Sequence, residues 1–371
     1  MRNNQTIIFK TISIFGMLIV LLGLTSVHAQ DSSAIYLQRA GVVHDHIYKQ
    51  FYDSSKQLFK EKTVLRKDER PYSYLWPLCA LAQAANEMEV LDHATDYMGP
   101  VDRAIAQYYS PSKPPSAGYD SYVAGDGGGD RFYDDNQWIG LAYTDAYQRT
   151  KKPTYLQMAT TIYRFMLTGY DTVSGGGMYW QEFHNNSKNT CSNGPGILLA
   201  LQLYRSTHEK KYIDTAILLY NWVNAHLQSP DGLYFDALKL PSGKIDERKY
   251  TYNTGTMLQS AVLLYQLTGK DQYLSQAKSI AEQSARYFFK DGLLPGNYWF
   301  NAVLMRGYVE LYKIDKQQTY MQLFKKYLDA VWDHQRDEQG LIGTKQVKTL
   351  LDQAGYLEML ARMAAYFQSR D

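Results

Sequence analysis

The hydrophobic positions of the chain predict two kinds of helix. Residues 212–227 keep apolar side chains such as Ile213 and Tyr220 near one face and polar side chains elsewhere, which is typical of an amphipathic outer helix. Residues 136–147 and 254–267 are apolar or small on nearly every side, as expected for helices that are packed all round. The pattern therefore predicts an outer layer of helices around an inner one.

The two kinds of helix alternate in a repeated unit. Its outer helix carries the pattern Tyr, aliphatic, two residues, Ala, which begins at Tyr155, Tyr212 and Tyr273 and so recurs after 57 and 61 residues. A glycine-containing turn follows, and then a second helix that opens on an asparagine. These asparagines are Asn193, Asn253, and Asn297 or Asn301. A fixed period of this size is typical of stacked helix pairs.

Extended to the whole chain, the pattern predicts twelve helices. They lie near residues 34–53, 73–88, 93–109, 134–150, 154–168, 193–207, 211–228, 251–268, 271–289, 297–313, 317–334 and 349–368. Six hairpins in one unbroken chain favour closure into a ring, because an open array leaves end faces that need caps. The predicted fold is all-α, an (α/α)6 barrel in which the N-termini of the inner helices form one mouth.

Residues 1–29 are predicted to be a signal peptide, and residues 30–371 one barrel domain. Arg2 and Lys10 precede an apolar run at residues 12–24, which is the layout of an export signal. The run is shorter than the roughly 20 apolar residues that a membrane span needs. We therefore expect a periplasmic or secreted protein without a membrane anchor, and most simply a monomer.

Composition narrows the partners. Without residues 1–29 the formal net charge falls from +2 to zero, because two basic residues and no acidic one are removed; nucleic acid and acidic lipid are not expected partners. The 33 Tyr, 13 Phe and 6 Trp suit a surface that stacks on sugars, and equally a large helical core. Cys79 and Cys191 permit one disulfide, and two buried free thiols are an equal alternative.

Asp134 and Asp135 are the strongest candidates for chemistry, because they are adjacent carboxylates at the predicted start of an inner helix. Helix capping and the helix dipole offer a structural alternative. Retaining glycosidases, however, hold two carboxyl groups about 5 to 5.5 Å apart, and side chains on neighbouring residues, whose Cα atoms are about 3.8 Å apart, reach that separation. Mutual repulsion also splits their pKa values, so that one keeps a proton. The spacing favours retention over inversion.

Other chemistries have little support in the sequence. It contains no glycine-rich phosphate loop, no nucleophile elbow and no zinc-type Cys/His spacing. His44 and His46 point to different sides of a helix, and the acidic loop at residues 126–130 departs from the calcium-loop pattern. We expect neither a metal nor a cofactor.

A series of motifs resembles those of one family, glycoside hydrolase family 76, the endo-α-1,6-mannanases and related transglycosylases. In chain order the motifs are Leu75-Trp76-Pro77, Tyr133-Asp134-Asp135-Asn136-Gln137-Trp138, Gly176-Gly177-Met178-Tyr179-Trp180, Asn193-Gly194-Pro195, Thr251-Tyr252-Asn253-x-Gly255 and Gly340-Leu341-Ile342-Gly343. One departure is the segment 297–301, which lacks a lysine that the family pattern leads us to expect. Chain-length preference therefore stays open.

The resemblance implies an (α/α)6 barrel that cleaves internal α-1,6-mannosidic bonds of α-mannan with retention and without a cofactor. It implies Asp134 as the nucleophile and Asp135 as the general acid/base. Candidate substrate-binding residues are Trp76, Tyr133, Asn136, Trp180, Asn193, Tyr252, Asn253, Tyr298 and Trp299. Trp138 is a weaker candidate, since its place within an inner helix favours core packing.

Three alternatives remain at this stage. A transglycosylase shares the covalent intermediate and differs only in the acceptor. A glycan-binding protein would use the acid pair as a helix cap alone. A glycuronyl hydrolase on the same fold needs arginines for acidic sugars, and the predicted mouth segments contain none.

Overall fold

The computed structural model describes residues 32–370, so the predicted signal peptide at residues 1–29 lies outside the described residues. Twelve α-helices make up most of this part of the chain. They are α1 (residues 32–51), α2 (Leu75–Leu91), α3 (Met98–Ala106), α4 (Tyr133–Thr150), α5 (Pro153–Leu167), α6 (Thr190–Thr207), α7 (Lys210–Leu227), α8 (Thr251–Thr268), α9 (Asp271–Phe288), α10 (Tyr298–Asp315), α11 (Thr319–His334) and α12 (Leu350–Gln368). All twelve predicted helices are confirmed.

The even-numbered helices form a ring of contacts. Each of α2, α4, α6, α8 and α10 contacts the next, and α12 contacts α2. These helices are buried on nearly every side; α2, for example, buries every residue from Leu78 to Asn86. The odd-numbered helices expose one face, and α9 buries only a stripe that includes Tyr273, Ala277 and Ile280. The predicted inner and outer layers are both present.

Two glycines allow inner helices to approach closely. A Cβ atom on Gly255 of α8 would lie 2.6 Å from the backbone oxygen of Val303 in α10. A Cβ atom on Gly355 of α12 would collide with the backbone of Trp299, also in α10. Because only glycine lacks this atom, both positions require it. The first turn of α10, which carries Trp299, is therefore held tightly by its neighbours.

Eight short strands lie in the connections between helices. They are β1 (Tyr52–Asp53), β2 (Leu58–Phe59), β3 (Tyr109–Ser110), β4 (Gly118–Tyr119), β5 (Tyr179–Gln181), β6 (His184–Asn189), β7 (Ala237–Lys239) and β8 (Ile245–Asp246). The last four form one antiparallel sheet in the order β5-β6-β7-β8. The predicted all-α class omitted these strands, and the fold is mostly helical rather than purely so.

The four-stranded sheet joins two distant connections of the chain. β5 and β6 lie between α5 and α6, while β7 and β8 lie between α7 and α8. Pairing of Asn189 with Ala237 brings the end of β6 beside the start of β7. Both ends lie close to the N-terminus of α6, where the Thr190 N–H donates to the Asp236 carbonyl at 2.8 Å. Within residues 32–370, the structure has no helix long and apolar enough to cross a membrane.

Candidate active site

A cavity of about 670 Å³ lies at the N-terminal ends of the inner helices. Residues from the first turns of five of these helices line it. They are Trp76 of α2, Asp134 and Asp135 of α4, Cys191 of α6, Tyr252 of α8, and Trp299 and Phe300 of α10. The structure therefore brings the adjacent acids to the common mouth that the sequence predicts.

Asp134 is surrounded by hydrogen-bond donors. Trp180 Nε1 donates to its Oδ2 at 3.2 Å, and the backbone N–H of Asp135 donates to its Oδ1 at 3.1 Å. Burial raises the pKa of Asp134 to about 6, although these two donors and the Cys191 thiol act in the opposite direction. The positive end of the α4 dipole also favours negative charge here. Near neutral pH, this carboxylate is ionised.

Asp135 has a different environment, although it is the next residue of the same helical turn. In the part of the chain that the structure describes, no protein group donates a hydrogen bond to its carboxylate; its backbone oxygen accepts from the Cys79 thiol at 3.3 Å. Burial and repulsion by Asp134 raise the pKa of Asp135 well above its ordinary value. At a pH at which Asp134 is already ionised, Asp135 therefore still carries its proton. This division between acid and base is the one that two-carboxylate hydrolysis uses.

Tryptophans form the floor of the cavity. Trp299 lies between Trp76, at a ring-centroid distance of 6.0 Å, and Trp138, which it meets edge-on at 5.2 Å. Trp138 is both part of the core and part of the cavity lining, since it is only 2% exposed yet borders the cavity. The expected core packing of Trp138 is confirmed, but the sequence did not predict that the same ring also borders the cavity. Trp299 Nε1 is buried without a hydrogen-bond partner among the described residues.

More exposed rings form the walls. Trp180 on β5 is 39% exposed and packs against Phe132 at a centroid distance of 5.0 Å. Tyr252 stacks on Phe300 at 3.9 Å. Of the nine predicted substrate-binding residues, four therefore line the cavity. They are Trp76, Trp180, Tyr252 and Trp299.

The structure places Asn136 and Asn193 outside the cavity, contrary to their expected contact with sugar hydroxyls. The Asn136 amide accepts from the Tyr119 N–H at 2.7 Å and donates to the Tyr119 carbonyl at 3.0 Å. Asn193 bonds the N–H and the carbonyl of Met178 in the same way, at 2.8 and 3.1 Å. Both amides are fully buried and hold neighbouring segments of backbone against the inner helices. Their hydrogen-bonding capacity is used within the protein.

Tyr133, Asn253 and Tyr298 also lie outside the cavity lining. Tyr133, the first residue of α4, is buried and packs on Phe165 at a ring-centroid distance of 5.1 Å, whereas the next two residues, Asp134 and Asp135, line the cavity. The Tyr298 hydroxyl donates to the side chain of Gln335. Asn253 is fully buried, and its Nδ2 donates at 3.2 Å to Oδ1 of Asp236, a residue that lines the cavity.

Sequence reasoning missed the residues that the four-stranded sheet and its loops supply. The lining residues in this group are Asn189, Asp236, Lys239, Arg248 and Tyr250. Their strands are short and polar, so no hydrophobic alternation marks them. Tyr74, Ser121, Asp130 and Phe132 complete the lining from other connections.

A second cavity, of about 490 Å³, opens at the opposite ends of the inner helices. Its main charged groups are paired with one another. Arg306 donates two hydrogen bonds to Glu358, at 2.6 and 2.7 Å, and Arg362 contacts both Glu358 and Glu87. The Arg306 guanidinium also lies 5.2 Å from the ring centroid of Trp138. This buried network supports the floor of the acid-bearing cavity from below.

Cys79 and Cys191 are both buried and do not form a disulfide, so of the two alternatives that the sequence left open, the structure has two free thiols.

Among residues 32–370, no three or more His, Cys, Asp or Glu side chains are grouped so as to hold a metal ion.

Comparison with known proteins identifies the family. The model of glycosyl hydrolase family 76 matches residues 36–298, well over half of the chain. The chain belongs to glycosyl hydrolase family 76. The resemblance of the sequence motifs to that family is thereby confirmed.

Solved family 76 structures are similar over nearly the whole chain. A family 76 mannosidase from Bacteroides thetaiotaomicron is 27% identical, with a TM-score of 0.82, and the match covers 91% of this chain and 100% of that one. An α-mannanase of the family from the same organism is 26% identical, with a TM-score of 0.85, and the match covers 90% and 97% of the two chains. The α-1,6-mannanase of Salegentibacter shares the fold at 20% identity, with a TM-score of 0.78, over 89% and 99% of the chains.

A curated relative is similar over a shorter span. Mannan endo-1,6-alpha-mannosidase DCW1 of Saccharomyces cerevisiae is 31% identical over 177 residues, which are 43% of this chain and 39% of that protein. The chain thus spans about two fifths of the length of the curated relatives that it matches.

Proposed function

We propose that this family 76 protein is a retaining, endo-acting hydrolase of α-1,6-mannosidic bonds in mannan. The observation that carries the proposal is the pair Asp134 and Asp135, which share one cavity but differ in hydrogen bonding. Asp134 accepts two hydrogen bonds and serves as the nucleophile. Asp135 keeps its proton and serves as the general acid/base.

In the first step, an oxygen of Asp134 attacks the anomeric carbon of the mannose unit. The bond from that carbon to the leaving oxygen breaks, and Asp135 donates its proton to this oxygen, so that the shortened chain leaves as an alcohol. The product of the step is a glycosyl ester of Asp134. The Trp180 N–H steadies the Asp134 carboxylate before the attack.

In the second step, Asp135 is ionised and accepts a proton from a water molecule. The water oxygen attacks the anomeric carbon, and the ester bond to Asp134 breaks. Two displacements at one carbon restore the original configuration. Asp135 ends the cycle protonated and Asp134 ionised, as both began.

The aromatic lining supports a sugar substrate, because ring faces pack on the apolar faces of pyranoses while polar edges stay available. Known relatives support α-1,6-mannan. An inactive variant of the Salegentibacter mannanase, in which two consecutive aspartates are changed to asparagine, was solved with α-1,6-mannotriose. DCW1 of Saccharomyces cerevisiae carries the name mannan endo-1,6-alpha-mannosidase.

We further propose that α1–α12 form an (α/α)6 barrel and that residues 30–371 are a single catalytic domain. The closed ring of contacts between even-numbered helices supports this architecture. The export of the protein and its monomeric state are proposed from the sequence alone.

The test is incubation of the protein with linear α-1,6-mannan. We expect new reducing ends, internal fragments and, by proton NMR, products that first appear as α-anomers. Products longer than a defined oligosaccharide substrate would instead identify a transglycosylase, and affinity without cleavage would identify a binding protein. Asp214→Asn, an exposed acid on α7, is the matched control for substitutions at Asp134 and Asp135.

A further inference from the structure

Lys188 on β6 is a lysine without exposed surface. Its Nζ donates to Asp171 Oδ1 at 2.6 Å and to the carbonyl oxygens of Val173 and Gly176 at 2.7 and 2.6 Å. These three hydrogen bonds use every N–H of the ammonium group. A buried charge is tolerated only when it is paired and hydrogen-bonded, so the whole side chain serves this one contact.

All three acceptors belong to the glycine loop, residues 171–177, which connects α5 to β5. Four successive residues of this loop, Ser174 to Gly177, have positive φ angles of 58°, 76°, 123° and 80°. Such a conformation persists only where the surroundings hold it, above all at Ser174, which has a Cβ atom. Trp222 of α7 contributes from the other side, since its Nε1 donates to the Ser174 carbonyl at 2.9 Å. The loop is thus held between Lys188 and Trp222.

The glycine loop leads directly into β5. The hydroxyl of Tyr179, the first residue of β5, donates to Asp171 Oδ2 at 2.6 Å, while Lys188 binds the other oxygen of that carboxylate. Tyr179 is also the partner of Lys188 in the sheet, and the Lys188 Nζ lies 4.8 Å from the centroid of its ring. Lys188, Asp171 and Tyr179 therefore form a closed set of contacts that fixes the strand to the loop.

Trp180, the next residue of β5, depends on this support. Its ring is 39% exposed and packs on Phe132, so few side-chain contacts of its own hold it. Its Nε1 lies 3.2 Å from Asp134 Oδ2, at the upper end of the usual range for such a hydrogen bond. A small displacement of the three-residue strand would therefore break the bond to Asp134.

We propose that Lys188 is a positioning residue for the reaction, because its contacts with the glycine loop hold β5 where the Trp180 N–H reaches Asp134. The inference rests on the proposed function and adds a residue that does not line the cavity itself. A lysine that only stabilised the fold would affect unfolding. A lysine that acts through Trp180 also affects the ionisation of Asp134.

The test measures kcat/KM on α-1,6-mannotetraose against pH for the wild type, Lys188→Met, Trp180→Phe and the double variant. Without the Trp180 donor the pKa of Asp134 is higher, so the acidic limb should move upward by about half a unit to one unit in both single variants. At about pH 5 this lowers kcat/KM by roughly 3- to 10-fold. Asp135 and Cys191, which also act on Asp134 from α4 and α6, are unchanged in all variants.

The double variant shows whether Lys188 acts through Trp180. Its acidic limb should lie where that of Trp180→Phe lies, since two substitutions that break the same hydrogen bond do not add. A further upward shift in the double variant would show a direct effect of the lysine charge on Asp134 and overturn the inference.

Lys348→Met is the matched control. Lys348 is also buried, its Nζ donates to the Gly343 carbonyl, and it lies two residues before α12 as Lys188 lies two residues before α6. Both methionine variants should have a lowered Tm, because each leaves a buried carbonyl without its partner. Only Lys188→Met should move the acidic limb. An unmoved limb in folded Lys188→Met would show a purely structural lysine and contradict the inference.

Tyr179→Phe tests the same contacts if Lys188→Met does not fold. It removes the hydrogen bond to Asp171 without a change of charge and keeps the buried ring. Its acidic limb should also move upward, with no further movement when Trp180→Phe is added, and an unmoved limb would again count against the inference. A wild-type protein without turnover of mannotetraose would contradict the proposed function itself.

Discussion

Trp180 Nε1 donates a hydrogen bond to Asp134 Oδ2 at 3.2 Å, which links a strand residue to a helix residue 46 positions earlier in the chain. The strand is β5 of the four-stranded sheet, and the helix is α4. The bond therefore joins the two parts of the structure, helical ring and sheet, at the proposed nucleophile. It also gives one side chain two functions, because the Trp180 ring borders the cavity in which the sugar would stack.

Removal of the Trp180 donor should shift the pH profile. Asp134 must be ionised to attack, so kcat/KM should fall as the pH drops below about 6. The Trp180 hydrogen bond lowers the pKa of Asp134, and Trp180→Phe, which keeps the ring but loses the N–H, should move this acidic limb upward by roughly half a unit to one unit. Trp332→Phe on α11 is the control, and an unshifted limb in Trp180→Phe would argue against Asp134 as the nucleophile.

The basic limb of the same profile should belong to Asp135. Because this group must be protonated for the first step, kcat/KM should fall as the pH rises through its raised pKa. Asp135→Asn should remove that limb together with most of the activity on mannan. It should retain a burst of leaving group from a dinitrophenyl α-1,6-mannobioside, whose departure needs no proton. Asp134→Asn should give no burst, and the opposite pattern would reverse the two roles.

The helices were predictable because their physical signal is local. Amphipathic stripes alternate with all-round apolar segments, and the helical bounds found in the structure differ from those predicted by a few residues at most places. Asp134 and Asp135 were found for a similar reason, since two adjacent acids in front of an apolar helix are unusual at any position. Their shared cavity follows from the direction of the inner helices.

The sheet and the roles of the asparagines were not predictable from the same signal. β6 reads His-Asn-Asn-Ser-Lys-Asn, without the apolar alternation that marks a half-buried strand. Asn189 and Asn193 are only four residues apart, yet one side chain lines the cavity and the other binds the backbone of Met178. The difference between the two asparagines comes from which segment of the chain lies beside each side chain in the fold. Long-range backbone contacts therefore determine which asparagine lines the cavity.

The acid pair should destabilise the fold as the pH rises. Because burial raises the pKa of Asp135 above its unfolded value, the folded state holds a proton more tightly, and stability falls as the pH increases from about the unfolded pKa of 3.8 upward. Asp135→Asn should therefore raise the free energy of unfolding at pH 7, with little gain at pH 4. Urea unfolding at both pH values measures this. An equal effect at the two pH values would contradict the raised pKa.

Asn193→Ala should impair folding more than catalysis. The substitution removes two buried hydrogen bonds and leaves the N–H and carbonyl of Met178 without partners, which should cost about 2 to 4 kcal/mol in the free energy of unfolding. The folded fraction should keep a KM for mannotetraose close to that of the wild type, because the amide does not line the cavity. Urea unfolding and steady-state kinetics at low temperature measure the two quantities. A stable variant with a strongly raised KM would instead show that Asn193 contacts the substrate.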